Sequence, residues 1–478
     1  MITISNEEFA KLNYETRNSE YIDKQLLEAM NQASLNNIKI IVLDDDPTGT
    51  QTVHDVPVYT SWDHDAIYDI FTSDAPMAFI LTNSRSFSKE KTISVHHKIA
   101  EAIIVISKQL KLPFIIISRS DSTLRGHYPI ETEALKEVLE AGGYRIDGEI
   151  LCPYFKEGNR FTLNNIHFIK ESYGLIEVSE SDYAKDKTFG YKHSHLGKWC
   201  EEKTKGIYQK ESMIYITLNE LKNADYDSIQ KKLEACTDFN KIIVNATNEN
   251  DLKIFITAYL RALKRGHHFI FRSAAAIPKV LGGCNDIPYL DKKILKDCDN
   301  KNGGLIVVGS HVYKTTNQLK QLEALDNHVL TMIEFNQHLI VSGSFDKEIK
   351  RVIKAAEAAI GNGKTAVIYT NRKRFDLPKG DSEAQLELAV KISDAVVKIV
   401  SGIKTKPSYI LSKGGITSSD IAVKALNIKK ALVLGQVKPA VPVWHAKDCS
   451  HFTGLNLIIF PGNVGDKNTL KEIVELLI

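Results

Sequence analysis

The chain predicts an α/β protein built of two α/β domains with largely parallel sheets. Three observations carry that prediction. Short β-branched runs alternate with longer stretches whose apolar residues recur at helical spacing, the pattern of strand–helix units that stack into a parallel sheet. The 478 residues exceed one ordinary domain and suffice for two or three with substantial cores. A polar, glycine-rich zone from Leu281 to Gly304, through GGCNDIP and DCDNKNGG, interrupts the alternation. The domain boundary is therefore expected near Asp297–Gly304, with a first domain over 1–300 and a second over 301–478.

In chain order, the first half offers strands at Ile38–Leu43, Val56–Thr60, Met77–Leu81, Phe114–Ser118, Met213–Thr217 and Lys241–Asn245. Ser88–Gln109 has the apolar spacing of a helix between two of them. A second series begins with Leu305–Gly309 and continues through Thr365–Thr370, Tyr409–Ser412, Ala431–Leu434 and Leu457–Phe460. Gly361-Asn362-Gly363-Lys364-Thr365 imitates a phosphate loop, but Ala358 stands where that motif needs glycine and the segment precedes a strand. It reads as a helix C-cap and turn. No internal repeat stands out.

Composition narrows the function classes. Hydrophobic residues make up 43% and charged residues 25%, the balance of a globular protein. Lys plus Arg number 61 against 59 Asp plus Glu, a net charge of +2, so there is no electrostatic footprint for nucleic acid or an anionic membrane. The six cysteines (Cys152, Cys200, Cys236, Cys284, Cys298, Cys449) lack CxxC or metal-ligand spacing and read as reduced thiols. The N-terminal segment has no basic or apolar leader, and no apolar run approaches membrane-spanning length. A cytoplasmic protein is expected, with no bar to homo-oligomers.

The most informative segment is LDDDPTGTQTVHD, Leu43 to Asp55. The apolar run Ile38–Leu43, broken only by Lys39, delivers Asp44, Asp45 and Asp46 into a turn made by Pro47 and Gly49. Three like charges at a strand end repel one another and resist desolvation, a poor choice for scaffold alone. They suit a metal ion, a substrate hydroxyl or a phosphate-bearing metal complex. Two further strand ends carry polar clusters, Thr82-Asn83-Ser84-Arg85-Ser86 and Ser118-Arg119-Ser120-Asp121-Ser122-Thr123-Leu124-Arg125-Gly126. Open α/β sheets bind ligands at such ends. Arg85, Arg119 and Arg125 offer forked donors for a carboxylate or phosphate, and Asp121, Ser122 and Thr123 can serve hydroxyls. Together they describe a site for a small, hydroxylated anion.

The second half has a different chemistry. Ser412-Lys413-Gly414-Gly415-Ile416-Thr417-Ser418-Ser419-Asp420 follows a strand and opens a helix, where glycines let backbone amides approach an anion. Gly309-Ser310-His311 and Pro461-Gly462-Asn463-Val464-Gly465-Asp466 have the same character. They suggest a phosphate or nucleotide cradle without a Walker motif.

These motifs, in this order, resemble the four-carbon acid sugar kinases, the family of 3-oxo-tetronate, threonate and erythronate kinases. The resemblance runs from about Ile38 to Asp466. It rests on Asp45-Asp46-Pro47-Thr48-Gly49, Asn83-Ser84-Arg85, Asp121-Ser122-Thr123-Leu124-Arg125-Gly126 and Gly414-Gly415-Ile416-Thr417. It implies an N-terminal domain that binds the acid sugar and a C-terminal domain that binds ATP, with the active site in the inter-domain cleft. Carried over, Asp45, Arg85, Arg119, Ser120, Asp121 and Ser122 look like the substrate side. Ser310, Gly414, Gly415, Ile416, Thr417 and Gly462 look like the ATP side. Two departures bear on the substrate: Arg119 stands where many members have lysine, and the opening motif is the longer DDDPTGTQTVHD.

The expected reaction is phosphoryl transfer from ATP with Mg²⁺ to a hydroxyl of a small four-carbon acid, where positioning and charge neutralisation dominate. Arg85 or Arg119 would clamp the substrate carboxylate, and Asp45 or Asp46 would accept the proton. Two other readings compete. Asp44-Asp45-Asp46-Pro47-Thr48 also fits the opening of a haloacid-dehalogenase-type phosphatase, with Asp44 as nucleophile and Asp46 as general acid. A non-catalytic sugar-acid or nucleotide sensor would tolerate loss of the acidic triplet. His96-His97 and His267-His268 are adjacent pairs that cannot converge on one metal. Trp62, Trp199 and Trp444 are expected to pack, and Val437–Trp444 to form a loop edging the nucleotide site.

Overall fold

Apolar runs long enough to be buried on both faces become central strands. The computed structural model describes residues 3–14, 18–325, 328–373, 375, 382–447, 451–462 and 464–478. Of the positions singled out above, Cys449, Asn463 and residues 15–17 of the N-terminal segment lie outside the described residues. The chain divides into two compact units, Met1–Gly49 with Ser61–Asn285, and Thr50–Thr60 with Asp286–Ile478. Chain passage into the second unit thus falls at Asn285–Asp286, ahead of the Asp297–Gly304 stretch, and the short segment after the acidic turn belongs to the second unit as well.

The first unit holds seven parallel strands in the order Ile214–Ile216, Asn240–Val244, Gly148–Cys152, Phe269–Ser273, Phe114–Arg119, Lys39–Asp44 and Met77–Leu81. Ile40, Ile41, Val42 and Leu43 are buried, as are Met77–Leu81 throughout, which is why these strands read as continuous apolar runs. Register decides where the loops emerge: Asp44 lies level with Leu81 on one side and with Arg119 on the other. The three polar clusters therefore leave the sheet at one edge.

The expected helix forms as Lys89–Leu110. Ser88 caps it by accepting from the Lys91 amide at 3.3 Å, and Lys111 ends it in the left-handed conformation at φ 55°. Its inner stripe, Thr92, Val95, Ile99, Ile103 and Ile106, has helical spacing. A small antiparallel sheet, in the order Thr3–Ser5, Gly174–Glu177, Ile166–Glu171 and Arg160–Leu163, completes this unit and was not anticipated.

The second unit has a parallel core of Leu455–Phe460, Ile410–Lys413, Leu305–Val308, Thr365–Thr370 and Leu330–Phe335 in that spatial order. Val308 is level with Lys413 and Tyr369, and Lys413 with Phe460, so the following loops again share one edge. Lys430–Lys438 and Val441–Ala446 form an antiparallel hairpin that joins Val56–Tyr59 to this core.

That hairpin corrects one expectation. Val437–Trp444 is not a loop: the chain turns at Pro439-Ala440, where Ala440 adopts φ 58°, and returns as a strand. Trp444 is fully buried and donates its indole N–H to Thr50 Oγ1 at 2.9 Å. Trp199 also packs, stacked on Tyr128. The phosphate-loop imitation behaves as read: helix Phe345–Gly361 ends at Asn362, and Gly363 at φ 76° turns the chain into Thr365–Thr370. No helix among the described residues is long and apolar enough to cross a membrane.

Candidate active site

In the first unit, the strand ends bring Asp44, Asp45, Asp46, Arg85, Arg119, Ser120 and Asp121 together. Arg85 grips Asp45 with two donors, Nε to Oδ2 at 3.0 Å and Nη2 to Oδ1 at 2.6 Å, while its Nη1 lies 3.4 Å from Asp46 Oδ2. Arg119 Nη1 reaches Asp44 Oδ1 at 3.1 Å and Asp45 Oδ1 at 3.5 Å. Its Nε is buried and has no hydrogen-bond partner among the described residues. The triplet that would repel itself in isolation is therefore interleaved with two guanidinium groups.

The three carboxylates are not equivalent. Asp44 and Asp45 are buried, whereas the Asp46 side chain keeps 14% of its surface and closes the turn by accepting from the Thr48 amide at 2.8 Å. Burial pushes Asp44 up to about 7, against the pull of Arg119 and with the repulsion of Asp45 and Asp46 behind it. Burial raises Asp45 too; Arg85 opposes the shift and Glu131 adds to it. Gly49 is required by close approach, since a Cβ there would lie 2.0 Å from Asp44 Oδ2. The turn therefore closes directly over Asp44.

A pH dependence follows from Asp44. Its folded-state proton affinity exceeds that of an unfolded carboxyl, so stability is lost as pH rises from the ordinary carboxyl range and levels off above about 7. Asp44→Asn has no such proton to exchange. The stability gap between wild type and Asp44→Asn is expected to move in the variant's favour by up to about 1.4 kcal/mol per pH unit across that window. Urea melts at pH 5, 6, 7 and 8 would read it, and a gap independent of pH would contradict it.

Around this centre, Asp121 accepts from Arg125 Nε at 2.7 Å and from the Thr123 hydroxyl. Burial works against its charge, but Arg125 and then Arg85 outweigh it and hold the carboxyl well below the usual range. Ser122 is buried, and its carbonyl accepts from His167 Nε2 at 2.8 Å. Glu131, on helix Ile130–Ala141, accepts from Ser84 Oγ at 2.5 Å and Ser120 Oγ at 3.3 Å. Sequence reasoning missed Glu131, because a glutamate in a first helical turn reads as an ordinary dipole partner. Among the described residues no group of three or more His, Cys, Asp or Glu is arranged to hold a metal.

In the second unit, Gly309, Ser310, Gly414 and Gly462 meet at the shared strand edge. The Lys413 carbonyl accepts from the Gly309 amide at 3.3 Å and the Ser310 amide at 3.4 Å, and Gly414 donates to Phe460 O at 2.8 Å. Thr315 Oγ1 ties Ser310 Oγ at 3.2 Å to Gly462 O at 3.1 Å. A Cβ at Gly309 would lie 2.2 Å from Thr417 Oγ1, and one at Gly462 would lie 2.9 Å from Ser310 Oγ. Gly415 begins the short helix Gly415–Asp420, and Ile416 stands 62% exposed on it. The glycine-lined cradle suits the close approach of a phosphate chain.

Arg372 joins this site unannounced. It donates Nη2 to Ser310 O at 2.5 Å and to Thr316 Oγ1 at 3.0 Å, and its Nη1 is buried without a hydrogen-bond partner among the described residues. The strand-end rule could have found it, since Thr370-Asn371-Arg372 follows Thr365–Thr370 directly.

The fold and these strand-end loops define a two-unit α/β protein with a polar, arginine-rich site in one unit and a glycine-lined site in the other. A family described as a sugar-binding N-terminal domain matches residues 40–281, half of the chain, and one described as a nucleotide-binding C-terminal domain matches residues 305–470. The chain belongs to the four-carbon acid sugar kinase family. Among solved structures, a Salmonella typhimurium LT2 protein named as a candidate tRNA synthase is 14% identical, with a TM-score of 0.63 over 91% of this chain and 98% of that one. Haemophilus influenzae protein HI1011 is also 14% identical, with a TM-score of 0.59 over 92% and 100%. Both likenesses show the fold. No curated protein matches the sequence.

Proposed function

We propose that the protein is an ATP-dependent kinase, working with Mg²⁺, that phosphorylates a hydroxyl of a small four-carbon or similar sugar acid. The observation that carries this reading is Asp45 held between Arg85 and Arg119 at the strand ends, with Ser120, Asp121 and Glu131 around it. Residues 1–300 would bind the acid and residues 301–478 the nucleotide. Bound ATP would supply the phosphoryl group, and Mg²⁺ would neutralise charge on its phosphates.

The chain's own groups then divide the work. Asp45, its proton affinity raised by burial, accepts the proton of the attacking hydroxyl. Arg85, whose side chain keeps 20% of its surface and whose Nη groups each have a second N–H beyond those given to Asp45 and Asp46, binds the substrate carboxylate, while the buried Arg119 holds Asp44 and Asp45. Ser120, Asp121 and Ser122 orient the remaining hydroxyls. Ser310, Gly414, Gly415, Ile416, Thr417 and Gly462 hold the triphosphate, with Arg372 beside Ser310.

The phosphatase alternative loses its nucleophile. What separates Asp44 from Asp45 is the turn that closes over it, where a Cβ at Gly49 would lie 2.0 Å from Asp44 Oδ2, so Asp44 is badly placed for in-line attack on a phosphate ester. The deciding experiment is ADP release from Mg-ATP with a panel of short-chain aldonic and 2-keto acids, with inorganic phosphate followed in parallel. Acceptor-dependent ADP without free phosphate is the expected result. Phosphate release from sugar phosphates without ATP would overturn it. Nucleotide binding with no transfer to any acceptor would favour a sensor.

A further inference from the structure

Lys413 occupies an unusual place in the second unit. It is the last residue of strand Ile410–Lys413 and is fully buried. Its backbone and side chain bind all three glycine loops into one body. The carbonyl takes the Gly309 and Ser310 amides, and Nζ donates to Pro461 O at 2.6 Å while lying 3.5 Å from the centre of the Phe460 ring. Among the described residues no carboxylate pairs with it. A buried ammonium without a counter-charge is costly, and the ordinary remedy is to shed the proton.

The neighbouring elements supply no hidden anion. Strands Leu305–Val308 and Leu455–Phe460, which flank it, carry no titratable side chain. Helix Gly415–Asp420 contributes only Asp420, which is engaged by Ser393 and by Lys424 at 3.0 Å. In the loop after Phe460, Asp466 accepts from the Asn468 and Thr469 amides. Helix Tyr313–Leu322 adds Lys314, a like charge, and on the loop before it His311 lies against Thr370. Burial, with Lys314 behind it, pushes Lys413 down to about 6.

We propose that Lys413 is a positioning residue that rests neutral in the empty protein and takes one proton from solvent when a nucleotide polyphosphate enters the glycine loops. This inference rests on the nucleotide reading of the second unit. A neutral amine can still donate to Pro461, so the loops stay tied while the charge is absent. An arriving polyphosphate provides the missing counter-charge through the field of the loops, and the protonated amine keeps Pro461 and the Lys413 carbonyl in place beneath them. Nucleotide affinity becomes linked to pH with a fixed sign: the complex binds the extra proton, so binding tightens as pH falls towards 6.

The test is calorimetry of the intact protein with the non-hydrolysable β,γ-imido analogue of ATP plus Mg²⁺, at pH 7.5, in three buffers of different ionisation enthalpy. Wild type is expected to take up about one proton more per nucleotide than Lys413→Met, with an affinity gain approaching about tenfold per unit fall in pH. The analogue's own titration is common to both proteins and cancels in the difference. Binding by wild type with buffer-independent heats overturns the inference and leaves the nucleotide site standing, as does equal uptake by both proteins. Absence of any binding overturns the nucleotide reading and the inference together. If Lys413→Met fails to fold, Lys413→Gln, which keeps a donor for Pro461, serves for the comparison, and the wild-type buffer series alone can still refute the proposal.

Discussion

Asp45→Asn is expected to cut acceptor-dependent ADP formation by about 10²–10⁴-fold, the usual contribution of a positioned general base. The nucleotide affinity of the second unit should stay unchanged. An asparagine keeps the shape of the side chain but removes the charge that Arg85 holds through two donors at 3.0 and 2.6 Å. Arg85 then keeps one acceptor oxygen on the amide and the Asp46 carboxylate at 3.4 Å, and breaking a buried ion pair from one side costs up to roughly 3–5 kcal/mol. A melt run beside the assay separates the two effects. A folded Asp45→Asn protein with near-normal turnover would remove Asp45 from the chemistry. Asp46, the more exposed carboxylate, would then become the candidate base.

Much of this site is legible in the sequence because strand ends announce themselves. Ile38–Leu43, Met77–Leu81 and Phe114–Ser118 are apolar runs that stop at polar clusters, and the parallel register brings those stops to one edge. The pairing within the edge is not legible. Nothing in the order Asp44-Asp45-Asp46 says that Arg119 takes the first, Arg85 the second, and that the third closes a turn on Thr48. Those choices depend on distances between segments far apart in the chain, which composition and spacing do not encode.

Two of the strands that the sequence does not announce share a physical cause. Gly148–Cys152 carries Glu149, fully buried against Lys241 at 2.6 Å, and Phe269–Ser273 carries Arg272, stacked on Tyr128 and Trp199. A charge inside a short run breaks the apolar signal, although the fold supplies a partner that makes burial tolerable. Leu330–Phe335 escaped for a different reason. As an edge strand its buried residues, Leu330, Ile333 and Phe335, are separated by partly exposed Thr331 and Met332 and by exposed Glu334. Lys413 shows the same blindness in the nucleotide loops: it reads as a soluble side chain beside two glycines, yet it is fully buried at their hub.

Gly414→Ala is the second large effect expected, and it falls on the nucleotide. Gly414 sits at φ 123°, ψ 138°, a conformation essentially confined to glycine, and strain there costs a side chain roughly 1–3 kcal/mol. Its new Cβ would also lie 3.2 Å from both Ser310 Cβ and Thr417 Oγ1, tighter than comfortable contact. The cheapest relief is rotation of the Lys413–Gly414 peptide, which swings away the carbonyl that accepts the Gly309 and Ser310 amides. Nucleotide must then pull the loop back, so the strain appears as lost affinity of about five- to 150-fold. Gly361→Ala is the matched control, because a Cβ there meets nothing within 4 Å and its φ needs no glycine. Calorimetry with the imido analogue should find Gly361→Ala close to wild type and Gly414→Ala weakened, with both melting as folded proteins. Equal affinity for the two variants would mean that the glycine loop does not contact the phosphates, and the donor site would have to be sought at another strand end of the second unit.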